Sequence, residues 1–490
     1  MSIEEQTVIR RGSAEGTSAA PDLDPSSSDD YEQARQRHVR ALAERLPAEV
    51  ERVTWPLERL HALRDARLRA LVRTAKARSP WHARRLRHID PETLRGDDLA
   101  AIPPMTKADV MANWDEIVTD RRLTLAVAEA HLARVAEHGP AYLLDEYHVV
   151  SSGGSSGRRG VFVWDFEGWL QAAVTSARRA AWLGQRRPIS GPQRSAYLGA
   201  ERAIHIGTAM TRTLARPPGS SFTFPVTLPL AEIVAGLNAC QPTTLSGYPS
   251  VVHVLALEAR AGRLRIAPQA ITTGGEPLPP DTRQLVAATF GAVINEGYVC
   301  SEAWVMAVSY PGTTGLYLNE DSAVYEFLDA AGHPMPPGET AARFLVTNVI
   351  NQALPLLRYE LNDEVTLLDG PNPGPWTGRR IAPVGGRLDD LFVYADGVVA
   401  HPHVFRSALG SVPAIAAYQV RQTARGAAIA VEAVGAADLE PVRQEVAAAL
   451  ARLGLAAPEV VVERVDRIER TAVGGKVRRF LPLASQQGMV

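Results

Sequence analysis

The sequence predicts a mixed α/β protein, with a large N-terminal part followed by a small α+β lid of about a hundred residues. Three observations carry that expectation. Beyond residue 145, helical and strand periodicities alternate. Several strand signals run directly into glycine-rich turns. The C-terminal stretch has a β-β-α-β order of its own.

Composition sets the frame. At 490 residues the chain is long enough for more than one core. Hydrophobic residues make up 46% and the formal net charge is −2, a globular balance that gives no reason to expect nucleic-acid binding. No apolar run is long enough to span a bilayer, so no membrane partner is expected. Met1 to Glu5 lack the basic and apolar regions of a secretion signal. Two cysteines, Cys240 and Cys300, make neither a disulfide framework nor a cysteine zinc site. The expected compartment is the cytoplasm.

Residues 1–28 are rich in Ser, Ala, Gly, Pro and acidic side chains, without apolar periodicity, and are expected to form a disordered tail. From Tyr31 to about Arg78 the pattern is helical, with Leu57, Leu60, Leu63, Leu68 and Leu71 on a buried stripe and Pro56 and Pro80 as breaks. Pro103 to Asp109 reads as a turn followed by a capped helix.

Tyr147–Val150 and Val161–Trp164 then read as short strands around Ser151-Ser152-Gly153-Gly154-Ser155-Ser156-Gly157-Arg158-Arg159-Gly160. Glycines let the backbone approach an anion with several N–H groups, serines add donors, and arginines neutralise charge. That is the chemistry of a loop closing over phosphates, although no Walker sequence is present. A flexible hairpin loop is the plainer alternative.

Gln171–Trp182 predicts a helix, and Ser195–Leu198 and Thr244–Leu245 predict strands, the second running into Ser246-Gly247-Tyr248-Pro249. A helix at Val251–Arg260 leads to the strand Ala270–Thr273, which ends in Gly274-Gly275-Glu276-Pro277. A helix at Asp281–Phe290 leads to the strand Ala292–Tyr298. Ligands of open α/β sheets sit beyond the carboxyl ends of the strands, so Gly274–Pro277 and Asn295–Glu302 are candidate ligand walls. Ordinary strand-to-helix turns explain either stretch equally well.

In the last hundred residues, Val398–Pro402, Ala416–Gln422 and Ala427–Val434 predict strands. Leu439, Val442, Val446 and Leu450 mark a helix stopped by Gly454, and Glu459–Val465 closes the unit. Gly385 to Asp390 is a natural hinge. One imbalance stands out: of 52 basic residues only Lys76, Lys107 and Lys476 are lysines, so a need for a compact ammonium is plausible where one stands in a glycine-rich context, as Lys476 does, while chance stays open for Lys76 and Lys107.

Taken together, these motifs resemble the adenylate-forming superfamily of acyl-CoA synthetases, adenylation domains and luciferases, most closely its phenylacetate–CoA ligase branch, over about Arg67 to Phe480. Ser152 to Gly157 is similar to the phosphate loop of that family. Gly274-Gly275-Glu276-Pro277 resembles its adenine-contacting turn, and Tyr298-Val299-Cys300-Ser301-Glu302 its aromatic-x-x-Thr/Ser-Glu motif. The stretch Arg358-Tyr359 to Asp363 resembles the ribose-binding segment, and Gly386-Arg387-Leu388-Asp389-Asp390 the hinge. Thr471-Ala472-Val473-Gly474-Gly475-Lys476 resembles the C-terminal glycine–lysine loop.

The resemblance implies a multi-sheet adenylate-forming domain over 29–388 and a mobile lid over 389–490. It implies ATP-dependent activation of an aromatic carboxylic acid, then transfer to the thiol of CoA. Glu302 would help hold Mg²⁺, and Lys476 would be the catalytic ammonium. Nucleotide contacts would come from Ser152, Gly153, Gly154, Ser155, Ser156, Gly157, Gly274, Gly275, Glu276, Pro277, Asn295, Glu296, Gly297, Tyr298 and Ser301, with Asp363 and Arg387 on the ribose. The acyl pocket would use Gly247, Tyr248, Gly274 and Tyr298. His205 is either a fifth wall or an ordinary core histidine. Asp389 would absorb the backbone change when the lid moves.

The chain departs from the family where its phosphate loop lacks proline and lysine, with Arg159 and Gly160 in their place, and where Val299 follows Tyr298. A non-CoA acceptor (an amine, a carrier-protein thiol or a nitrite-like nitrogen) stays open beside CoA, as does a non-catalytic binder. A carrier protein and a homodimer are the macromolecular partners left open.

Overall fold

The computed structural model describes residues 28–152, 159–186, 188–214, 219–384, 391–395, 397–410, 412, 414–433, 437–466, 468 and 480–483, without the side chains of 28–30, 410, 416 and 417. The expected tail, the lysine loop ending in Lys476 and the hinge with Arg387 and Asp389 lie outside these residues. So do Gly153, Gly154, Ser155, Ser156 and Gly157.

Two long helices open the fold, Ser28–Glu51 and Leu57–Arg78, broken at Pro56 as proline requires. Leu60, Leu68 and Leu71 are buried with Val72 and Ala75, so the expected stripe faces the core. The short helix Lys107–Ala112 starts on a capping box in which the Thr106 hydroxyl accepts from the Asp109 N–H and the Asp109 carboxylate accepts from the Thr106 N–H.

Strands β1 (His148–Ser151) and β2 (Val161–Trp164) form an antiparallel hairpin at the base of the Ser/Gly loop. The central sheet is built from β3 (Ser195–Gly199), β4 (Ser221–Pro225), β5 (Thr244–Gly247), β6 (Ala270–Gly274), β7 (Val293–Cys300), β8 (Trp304–Val308), β9 (Leu316–Leu318) and, later in the chain, Arg380–Ile381. From one edge, β4, β3, β5, β6 and β7 run parallel, joined through helices that include Pro249–Arg260 and Pro280–Phe290. Beyond β7 the direction reverses, because a tight turn at 301–303 sends β8 back antiparallel. A second sheet joins β10 (Ala323–Leu328), β11 (Arg343–Asn348) and β12 (Tyr359–Leu361).

Behind the site lies a buried ionic knot. Asp321, on the turn between β9 and β10, receives both guanidinium nitrogens of Arg178 at 2.8 Å from the helix Phe166–Arg186, with Arg67 and Arg52 nearby. Burial alone would raise the Asp321 carboxyl. Arg178 instead holds it far below its ordinary range. No helix among the described residues is long and apolar enough to cross a membrane.

The strand at Arg380–Ile381 is β13, and the small C-terminal unit follows it. Its sheet order is β18 (Glu459–Arg464), β17 (Gly426–Ala433), β16 (Ile415–Thr423), β19 (Phe480–Leu481). Helices His403–Gly410 and Glu440–Arg452 cover it, around a core from Phe392 to Phe480 that draws on no earlier residue. One expectation is corrected: the signal at Val398–Pro402 does not join this sheet. It gives β15 (Val399–Ala400), paired only with β14 (Phe392–Val393), since Pro402 starts a helix and offers no N–H to a ladder.

Candidate active site

The parallel strands end side by side, and the candidate residues gather at those ends. Gly247 closes β5 where a Cβ would stand 2.7 Å from the Leu198 carbonyl, so only glycine lets the strand end approach β3 this closely. Gly275 follows β6 at φ +78°, and a Cβ there would meet the Tyr248 ring at 3.1 Å. Gly274 and Gly297 are register partners on β6 and β7. Pro277 is half-buried three residues beyond the strand end.

Asn295 and Glu296 do not stand at a strand end. The strand runs on to Cys300, leaving both in its middle with internal partners. The Asn295 Oδ1 accepts from Arg179 at 2.8 Å, and Glu296, raised by burial, pairs with Arg283.

Tyr298 is buried against Phe344 of β11, and its hydroxyl donates to the Asp363 carboxylate at 2.6 Å. Burial first, and then the Asp363 charge, push this phenol well above its usual range. Two candidates 65 positions apart are thus joined through the second sheet. Ser301, half-buried, starts the turn that delivers Glu302.

Glu302 is buried, with its backbone carbonyl accepting from Asn348 Nδ2 at 2.9 Å. Its Oε1 accepts from the Tyr359 hydroxyl at 3.1 Å and lies 3.4 Å from the Lys107 ammonium. Lys107 in turn donates to Ser152 Oγ at 3.3 Å, and Ser152 closes the neck of the Ser/Gly loop through Ser152 N to Gly160 O at 2.9 Å and Gly160 N to Ser152 Oγ at 3.0 Å. Lys107 is the functional candidate that the motifs missed. The scarcity of lysine was its only signal. Arg159, expected at the phosphates, pairs with Glu129 at 2.7 Å instead.

At the other end of the site, Tyr248 meets the small unit. Its ring lies near His401 and His403, and His205 sets its edge against His403 at 5.2 Å. Burial pushes the His205 imidazole down to about 4, so it is neutral at pH 7. The Glu276 carboxylate, expected at adenine, accepts from His401 and Ser250. Among the described residues, no three His, Cys, Asp or Glu side chains cluster as a self-contained metal site. Glu302 alone fits a Mg²⁺ ion, of the kind completed by substrate phosphates.

No family model matches the chain. The phenylacetate–coenzyme A ligase of Thermus thermophilus is 25% identical over 376 residues, covering 74% of this chain and 78% of that protein. A 2-hydroxyisobutyryl-CoA ligase crystallised with 2-HIB-AMP and CoA in the thioesterification state superposes with a TM-score of 0.57 at 20% identity, over 88% of this chain and 91% of that one. Its post-adenylation complex with R3-HIB-AMP gives 0.55 at 20% identity, over 89% and 92%.

The fold is that of the adenylate-forming ligases, a large α/β part with a small α+β part behind it. In sequence the chain is similar to a phenylacetate–CoA ligase.

Proposed function

We propose that the protein is an ATP-dependent ligase that activates an aromatic carboxylic acid and transfers the acyl group to the thiol of CoA. One observation carries the reading. Glu302 contacts Lys107, which contacts Ser152 at the neck of the Ser/Gly loop, and this linkage, with Tyr298 bonded to Asp363, supports a phosphate-side and a ribose-side anchor.

In the first half-reaction a substrate carboxylate oxygen bonds to the α-phosphorus of ATP and pyrophosphate leaves. Two anions must approach each other, so Lys107 beside the loop, with Lys476 from the small domain, offsets the charge that develops. A Mg²⁺ ion held by Glu302 would neutralise phosphate oxygens. Asp363, oriented by Tyr298, accepts from the ribose hydroxyls, as an ionised carboxylate can. Arg387 adds a contact on the ribose side. In the second half-reaction the CoA thiolate bonds to the acyl carbon and AMP leaves with the bonding electron pair. Asp389 would absorb the backbone change between the two poses, with the large domain taken to end at 388.

The acyl pocket would be formed by Gly247, Tyr248, Gly274 and Tyr298, the small residues Gly247 and Gly274 leaving room for a ring. The cytoplasm supplies ATP and CoA, and neither a carrier protein nor a homodimer is required. The test is acid-dependent pyrophosphate release over a panel of benzoic and arylacetic acids. Lys476→Ala is expected to lower kcat by roughly a hundredfold or more with little change in ATP binding. Wild-type turnover in that variant would remove Lys476 from the chemistry. Acyl-adenylate that persists when CoA is added would point to another acceptor.

A further inference from the structure

One polar cluster has no part in this chemistry as described, and it lies where the two domains touch. His401 follows β15, and its Nε2 donates to Glu276 Oε1 at 3.0 Å. Its Nδ1 accepts from the backbone N–H of His403 at 3.1 Å, which leaves the ring proton on Nε2. The neutral ring therefore satisfies both bonds at once. The second Glu276 oxygen accepts from the Ser250 hydroxyl at 2.6 Å and from the Ser250 N–H at 3.3 Å. Both partners of the interdomain bond are shielded, with 4% of the His401 side chain and 16% of the Glu276 side chain exposed.

Three nearly parallel rings back this bond. Tyr248 lies 5.1 Å from His401 and 4.9 Å from His403, and the two imidazoles are 5.2 Å apart. A second polar bond, Arg202 Nη2 to Glu445 Oε1 at 2.7 Å, ties the helix Glu440–Arg452 to the large domain. It lines a cavity of about 540 Å³ between the domains. Both bonds cross the interface, and the first involves the turn expected to contact adenine.

We propose that His401 is a positioning residue: by holding the Glu276 carboxylate it registers the small domain on the Gly274–Pro277 turn, in the pose that serves one of the two half-reactions. This rests on the ligase reading above, and deepens it by naming the contact that couples domain pose to the nucleotide turn. Removing the donor leaves a shielded carboxylate short of one hydrogen bond in the docked pose only. The docked population should then fall roughly ten- to hundredfold.

The experiment separates the half-reactions in the full-length enzyme, using acid-dependent pyrophosphate–ATP exchange and single-turnover transfer from pre-formed acyl-adenylate to CoA. His401→Leu is expected to slow one of them about tenfold or more and leave the other within about twofold. His401→Gln, which keeps an N–H near the Nε2 position, is expected to recover most of the loss. Amide hydrogen exchange at 399–406 and 274–277 reads docking without turnover, and should quicken in both segments of His401→Leu by roughly the same factor.

Equal losses in both half-reactions, no loss in either, or unchanged exchange would overturn the proposal. If no acid supports pyrophosphate exchange in the wild type, the ligase reading falls while amide exchange still decides the docking contact. Should His401→Leu not fold, Ser250→Ala, which loosens the same carboxylate, is expected to give a smaller loss in one half-reaction. A two-sided or absent effect there overturns the proposal as well.

Discussion

Replacing Lys107 by methionine keeps the length of the side chain and removes its charge. In the structure the ammonium sits 3.4 Å from Glu302 Oε1 and 3.3 Å from Ser152 Oγ, with 13% of the side chain exposed. At that distance and an effective dielectric of about 20, the attraction to one carboxylate is about 5 kcal/mol before desolvation is subtracted. Desolvation of both ions takes back part of it. What acts on the reaction is the share that grows as charge builds on the phosphates, for which removal of one preorganised donor elsewhere costs about 3 kcal/mol, roughly a hundredfold in kcat.

Lys107→Met is therefore expected to lower kcat for acid-dependent pyrophosphate release by about a hundredfold, with a smaller rise in the KM for ATP. Lys107→Arg should fall between, because a planar fork does not occupy the point held by an ammonium. Excess Mg²⁺ should recover part of the loss by returning positive charge beside Glu302. A folded Lys107→Met enzyme with kcat/KM within about threefold of wild type would refute the reasoning.

Four further outcomes follow from the geometry. Tyr298→Phe removes the donor that orients Asp363; since that carboxylate is exposed and water partly replaces the bond, the KM for ATP should rise about three- to tenfold with kcat little changed, as steady-state kinetics will show. Asp321→Asn removes the two-pronged counter-charge of the buried Arg178, leaving it Glu49 at 3.5 Å, and should cost about 3 kcal/mol in a denaturant titration. Arg379 likewise overcomes burial to hold Glu320 down to about 2. Depressed carboxyls stabilise the fold above their unfolded values near 4 and lose that contribution as pH falls toward 2, so unfolding should steepen across that window. Gly275→Ala forces a side chain into φ +78° against the Tyr248 ring, and should lower the thermal midpoint by an amount equivalent to about 1–2 kcal/mol while raising the KM for the acid.

The long N-terminal helices and the strands β3, β5, β6 and β7 were legible from their periods and from the prolines and glycines around them, whereas β4, half-buried along its whole length, carries no alternation and was not read. Glu302 was legible by its motif, and Tyr248 by its place after a strand. Strands of two or three residues, such as β12 and β13, carry no period to read. The end of β7 was misplaced by two residues, since Val299 and Cys300 join the ladder only because β8 folds back on them. That shift accounts for Asn295 and Glu296, whose partners Arg179 and Arg283 lie on helices flanking the sheet. The Tyr298–Asp363 bond depends on how β11 and β12 pair, which local sequence does not specify. Lys107 shows the limit of motif reading. Its own segment announces only a capped helix, and the charge meets Ser152 and Glu302 because tertiary structure brings that helix to the loop.

The attachment of that helix has a practical consequence for building hybrids. Met105 N donates to the Arg358 carbonyl at 3.0 Å and Glu360 N to the Met105 carbonyl at 2.9 Å, so the segment that carries Lys107 is hydrogen-bonded to β12, just ahead of Asp363. The buried Arg358 guanidinium reaches the Ile102 carbonyl at 2.7 Å. A chimera that joins the first 140 residues of one relative to the remainder of another would therefore cut through the proposed active site, even though the junction falls between motifs. Recombination points after residue 391 leave this seam intact and are the safer places to exchange parts among such ligases.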